Sequence, residues 1–177
     1  MFLFKTEDEK KAIKLRNMKF SNTPEFTFRS KTFLSKILDI YDGDTITITI
    51  KIDGEYNRIN CRLNGIDTPE MKSQDNEEKI AAQLSQKHLI FLLTEQKISI
   101  GPPRELVRNV CGEINSIVTI KCFDFDKYGR LLVEVWKNGI CINDKMVEDG
   151  FAYKYDGGSK CDNWKSYFTH DVTKIVA

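Results

Sequence analysis

From Thr45 to Ile52 the chain alternates without a break. Ile46, Ile48, Ile50 and Ile52 fall on one side, and Thr45, Thr47, Thr49 and Lys51 on the other. A period of two predicts a half-buried β-strand. Asp53-Gly54 is a hairpin turn signal, so Tyr56 to Leu63 is read as the returning strand. Phe33 to Ile40 reads as the strand before, ended by the turn Tyr41-Asp42-Gly43-Asp44. These three form a meander. Ile117 to Phe125 and Leu131 to Trp136 read as a fourth and fifth strand joined through Tyr128-Gly129, and Asn138-Gly139 turns the chain again.

Between the third and fourth strands the period becomes helical. Asp75 followed by Glu78 resembles a capping box. Ile80, Ala81, Leu84, His88, Phe91 and Leu92 then mark an apolar stripe. His88 lies on that stripe and reads as a packed helix residue without a catalytic role. A second helix is expected from near Asn143 to Gly150, with Met146 and Val147 facing inward. Asp162 to Ala177 is expected to hold a short third helix with Trp164 and Phe168 on one face. Lys10 to Phe20 reads as a short basic helix, ended by Asn22-Thr23-Pro24. Five strands with a helix before the fourth predict a β-rich α+β fold. The form expected is an OB-type five-stranded barrel with two or three packed helices. Closing the barrel removes exposed sheet edges.

Composition narrows the class. At 177 residues, 41% hydrophobic and 30% charged, the chain suits one globular domain with a full core. No apolar run is long enough to span a bilayer. Met1-Phe2-Leu3-Phe4 is followed by Lys5 and then Glu7-Asp8-Glu9, without the apolar stretch of a secretory leader, so an intracellular, cytoplasmic location is expected. The five cysteines are odd in number and scattered. That argues against zinc and suits reduced thiols in apolar positions. Net charge is +1, with eight Lys/Arg and four Asp/Glu in residues 1–31 leaving a net of −3 for the rest. A protein that coats nucleic acid wants a large basic face; an enzyme releasing a polyanionic product does not.

Three short phrases carry chemistry: Asp42-Gly43-Asp44-Thr45, then Arg62-Leu63-Asn64-Gly65-Ile66-Asp67-Thr68-Pro69-Glu70, then Asp126-Lys127-Tyr128-Gly129-Arg130. Alone, each reads as turn or surface sequence. Together they supply three carboxylates (Asp44, Asp67, Glu70) able to hold a hard divalent metal and steer a water. They also supply two guanidinium groups (Arg62, Arg130) able to grip a phosphate from two sides. Phosphodiester hydrolysis needs both sets, because negative charge builds on the phosphoryl oxygens. Oxygen donors without His or Cys favour Ca²⁺ or Mg²⁺, and coordination alone does not choose between them.

These phrases, in this order, resemble the staphylococcal nuclease (thermonuclease) family from about Phe33 to Tyr155, with Asn143 and Gly150-Phe151-Ala152 continuing the likeness. The resemblance implies an OB-type barrel and a calcium-dependent endonuclease acting on DNA and RNA to leave 3′-phosphates. It implies Asp44, Asp67 and the Thr68 carbonyl as metal ligands, Glu70 as the residue that orients or deprotonates water, and Arg62 and Arg130 as the phosphate clamp. It further implies Lys127 and Tyr128 as contacts to a terminal phosphate and Tyr155 or Tyr153 as a nucleotide-stacking tyrosine. Against the family pattern, residues 1–31 are a basic N-terminal extension and residues 32–177 the nuclease-like domain. That domain has an insertion at about 95–115, where Gly101-Pro102-Pro103 is expected to break regular structure. A monomer acting on DNA and RNA, without a membrane or an obligate protein partner, is expected. The alternative is a nucleic-acid-binding barrel of the same family that has lost catalysis. Such a descendant typically lacks some of Asp44, Arg62, Asp67, Glu70 and Arg130, and all five stand here.

Overall fold

The computed structural model describes residues 6–113, 116–158 and 163–172. Helix α1 (Glu7–Arg16) is followed by β1 (Thr32–Ile40), β2 (Thr45–Ile52), β3 (Glu55–Leu63) and the short β4 (Ile66–Asp67). Next come α2 (Asn76–Thr94), α3 (Arg104–Glu113), β5 (Ile117–Phe125), β6 (Leu131–Lys137), β7 (Ile140–Cys141), α4 (Ile142–Glu148) and β8 (Tyr153–Lys154). The main sheet runs β3-β2-β1-β5-β6, and β3 pairs with β6 in parallel through Cys61↔Leu131, Arg62↔Leu132 and Leu63↔Val133. The five strands therefore close into an OB-type barrel.

The alternation in β2 holds as expected. Ile46, Ile48 and Ile50 fill the barrel with Ile37, Ile40, Leu63, Ile120, Leu131 and Val133. Asp53 and Gly54, at φ 50° and 92°, make the left-handed hairpin turn. Helix α2 lies against the barrel through Ala82, Ser85, Gln86, Leu89, Ile90 and Leu93. The buried stripe is thus rotated from the expected one: Phe91 is 41% exposed, and Ser85 and Gln86 are buried because each has a carbonyl partner. Ser85 Oγ donates to Phe151 O at 2.8 Å, and Gln86 Nε2 to Ile40 O and Tyr41 O at 3.1 and 2.9 Å.

The described part of residues 95–115 departs from expectation. Pro102 and Pro103 do not break it; α3 starts at the next residue and buries Val107 and Cys111 beside β1. Proline is compatible with a helix start, where no amide partner is needed. Helix α1 has the Thr6–Glu9 capping box and no buried residue. The expected third helix lies partly outside the described residues. Within 163–172 only a 3₁₀ turn forms, at Trp164–Ser166, and Trp164, Phe168 and Val172 pack with Ala81 and Leu84 in a second small core. Among the described residues, no helix is long and apolar enough to cross a membrane.

Candidate active site

The turn between β1 and β2 is built for close approach. Asp42 Oδ1 accepts from the Asp44 amide at 3.0 Å, an Asx-type turn. A Cβ on Gly43 would come within 2.7 Å of Ser85 Cβ and 2.9 Å of Thr68 Cγ2. Only glycine lets the turn, α2 and the loop after β4 meet there. Leu63 N donates to Asp44 O at 2.7 Å, and the pairing Thr45↔Arg62 sets Arg62 beside Asp44.

Arg62 bridges two buried carboxylates. Its Nη1 lies 2.5 Å from Asp44 Oδ2. Its Nη2 donates to Asp67 Oδ1 and, at 3.2 Å, to Ile66 O. Thr45 Oγ1 donates to Asp44 Oδ1 at 2.9 Å and accepts from Arg130 Nη1 at 3.1 Å. On the far side, Tyr153 OH donates to Asp67 Oδ2 at 3.0 Å, because β4 and β8 pair Asp67 with Tyr153. One chain of bonds thus runs from Arg130 through Thr45, Asp44, Arg62 and Asp67 to Tyr153.

The Asp126–Arg130 turn presents the second arginine. Asp126 Oδ1 accepts the amides of Tyr128 and Arg130, each at 2.9 Å, and its Oδ2 accepts from Arg130 Nε at 2.7 Å. Tyr128 is 73% exposed, with Lys127 Nζ and the Arg130 guanidinium over its ring at 5.1 and 5.6 Å. Glu70 is exposed at the end of its loop, and its amide donates to Glu78 Oε1 at 3.2 Å. Glu78 therefore braces the Glu70 loop rather than completing a capping box, while Asp75 caps α2 through Glu77 N at 2.9 Å.

These side chains line one open groove of about 1130 Å³. Arg62, Glu70, Arg130, Asp44, Asp67, Thr68, Lys127, Tyr128 and Tyr155 all face it, whereas Tyr153 sits behind Asp67. The described lining holds six carboxylates (Asp42, Asp44, Asp67, Glu70, Asp126, Asp156) against three cationic side chains (Arg62, Lys127, Arg130). Burial is the main force raising the Asp44 carboxyl well above its usual range; the Asp42 charge adds to it, Arg62 opposes it and Asp67 reinforces it. Burial also works against the Arg62 charge, but Asp44 and Asp67 outweigh it and its pKa rises. Such an excess of negative charge repels a phosphodiester unless a cation offsets it.

Among the described residues, no three His, Cys, Asp or Glu side chains are grouped to hold a metal ion by themselves. The groove does offer the buried pair Asp44 and Asp67, with Thr68 next in the chain on the same wall. An all-oxygen set of this kind suits a hard cation that completes its shell with water and phosphate oxygens.

The supporting roles of several residues escape a reading of the sequence. Thr45 links the two arginines, and Asp126 shapes the turn that carries the second. Asn143 ties α4 to the barrel: its Nδ2 donates to Asn64 O and Val133 O, each at 2.9 Å, and its Oδ1 accepts from Val135 N at 2.9 Å. Thr45 stands in the first of the three phrases and on the polar side of the β2 alternation, but neither reveals that it joins the two arginines.

The profile described as "Staphylococcal nuclease homologue" matches residues 60–171. A thermonuclease of Staphylococcus intermedius is 31% identical over 128 residues, 70% of this chain and 60% of its own length. A thermonuclease of Staphylococcus hyicus is 26% identical over 121 residues, 66% of this chain and 56% of its own. An uncharacterized protein of Bacillus anthracis is 35% identical over 122 residues, 69% of this chain and 47% of its own. The chain thus spans about half the length of these relatives. On the match across residues 60–171 of 177, the chain belongs to the staphylococcal nuclease homologue family.

Proposed function

We propose that this chain is a calcium-dependent nuclease that hydrolyses phosphodiester bonds of DNA and RNA at the P–O5′ bond and leaves 3′-phosphates. The observation that carries this reading is the groove itself. Residues from three separated phrases meet in it, with the bridge from Asp44 through Arg62 to Asp67 at its base. Membership of a family that includes thermonucleases supports it.

Calcium, bound by Asp44, Asp67 and the Thr68 carbonyl, would supply positive charge against the charge that builds on the phosphoryl oxygens. Arg62, released from its bonds to Asp44 and Asp67, and Arg130 hold non-bridging oxygens of the scissile phosphate. Glu70 orients a water and takes its proton as the water oxygen bonds to phosphorus. The P–O5′ bond breaks, and the departing 5′ oxygen takes a proton from solvent. Lys127 and Tyr128 hold a terminal phosphate, and Tyr155 on the groove wall stacks on a nucleotide. Tyr153 serves by holding Asp67 rather than by stacking.

The test is digestion of single-stranded DNA and RNA with Ca²⁺, Mg²⁺ or chelator, beside Glu70→Gln. Cutting that needs Ca²⁺ and falls about 10²-fold or more in the variant is expected, since a positioned base contributes about 10² to 10⁴. Equal rates in the two proteins would remove Glu70 from this role. Binding without cutting in any metal would convert the reading to a nucleic-acid-binding barrel.

A further inference from the structure

A second polar site lies on the outer face of the barrel. A bulge in β1 separates the pairs Ile37↔Ile48 and Asp39↔Thr47, which sets Asp39 in the outward row with Thr47. Thr47 in turn faces Asn60, and its Oγ1 donates to Asn60 Oδ1 at 2.9 Å. Helix α3 lays two arginines over that row. Arg104 Nε and Arg108 Nε both donate to Asp39 Oδ2, at 2.9 and 2.8 Å. The Asp39 side chain is 6% exposed and the arginine side chains are about half exposed, at 54% and 55%. The terminal nitrogens of both arginines make no hydrogen bond to another described residue, and neither does Arg58 on β3. Together these residues line a cavity of about 380 Å³.

The chemistry is that of an anion site. One buried carboxylate uses the Nε of each arginine and leaves the two Nη edges for an external partner. Counting Arg58, three guanidinium groups stand against one carboxylate. The site is also aligned with the groove. On the β2–β3 surface the outward pairs run Thr45↔Arg62, Thr47↔Asn60 and Thr49↔Arg58. Two such steps span about 14 Å. Tyr41, half exposed and next to Asp42 of the groove, carries the Arg104 guanidinium 5.4 Å from its ring centroid.

Resting on the nuclease reading above, we propose that Arg58, Arg104 and Arg108 bind a backbone phosphate of the same polynucleotide, a few nucleotides from the bond that is cut. An OB fold tracks about 4–16 nucleotides of a single strand. The occupant is single-stranded polynucleotide recognised by phosphate and not by base, so the preference is independent of sequence.

The experiment compares a trinucleotide with a 20-mer of mixed sequence, for the full chain and for Arg58→Ala and Arg104→Ala/Arg108→Ala. The expected result is an approximately tenfold fall in kcat/KM on the 20-mer relative to the trinucleotide, carried by KM with kcat retained. The salt slope of 20-mer binding should also fall by about 0.7 for each arginine removed. Equal length dependence in wild type and both variants would overturn the proposal. Arg58→Ala leaves the Asp39 bonds intact, so it decides the matter if the double variant does not fold. Fluorescence anisotropy of the labelled 20-mer on Glu70→Gln separates the two readings. If the chain cuts nothing, a loss of affinity on adding Arg58→Ala still supports the second site, and an unchanged affinity removes it.

Discussion

Two ion networks on one barrel are built with opposite stoichiometry. At the base of the groove one arginine, Arg62, is shared by two buried carboxylates, Asp44 and Asp67. Beneath α3 one buried carboxylate, Asp39, is shared by two arginines, Arg104 and Arg108. The first leaves an excess of negative charge and the second an excess of positive charge. Burial enforces this: the minority partner in each case is well covered, so its charge cannot be answered by water. On the two proposals above, this difference lets a nearly neutral chain attract a cation and a polyanion at neighbouring places on its surface.

The comparison breaks first at Arg62. Arg62→Ala strands two buried carboxylates and should cost about 3–5 kcal/mol of stability, read by urea melts. Millimolar calcium should recover part of that loss, and more than it stabilises the wild type. A calcium-insensitive variant would count against a cation at this pair. Arg104→Ala tests the opposite arrangement. Asp39 keeps Arg108, and the lost partner is half exposed, so the cost should stay below about 1 kcal/mol. A loss as large as that from Arg62 would show that the two networks are not opposites.

The smallest effect belongs to a pair matched nearer to one-to-one. His88 Nε2 lies 2.8 Å from Asp149 Oδ2, and the ring stacks on Phe151 at 4.1 Å between centroids. Burial lowers the His88 pKa, and the bond and charge of Asp149 only partly offset this, while His170 and Lys145 lower it further. The unfolded chain therefore binds this proton at higher pH than the folded one. Stability from neutral His88 is full above the ordinary imidazole range near 6.5 and declines as pH falls through it. The depressed pKa of Asp149 acts only at lower pH, through and below the carboxylate range. His88→Phe should flatten the melting temperature between pH 7 and 5. Parallel curves for variant and wild type would refute this.

The strands were legible because period-two alternation and turn dipeptides are local signals. Ile46 to Ile50 and Asp53-Gly54 lie where a reading of the chain puts them. The α2 stripe was misplaced because its buried polar residues, Ser85 and Gln86, depend on carbonyls of other segments that no local pattern reveals. Helix α3 was missed because Pro102 and Pro103 read as a break, and the i, i+4 pair Val107 and Cys111 is too short a stripe to outweigh them. The charged groove residues were legible as three phrases. Their joining through Thr45, and the separation of Tyr153 from Tyr155, depend on strand register across the barrel.

The parallel closure of β3 on β6 has a consequence for the chain as it is made. Arg62 and Arg130 come from segments far apart in sequence and share a groove only when Cys61 meets Leu131 and the ring shuts. Chain emerging from a ribosome carries the first two phrases long before the third. Until β6 is released there is no groove, so on the nuclease reading proposed above the growing polypeptide cannot cut the messenger that encodes it.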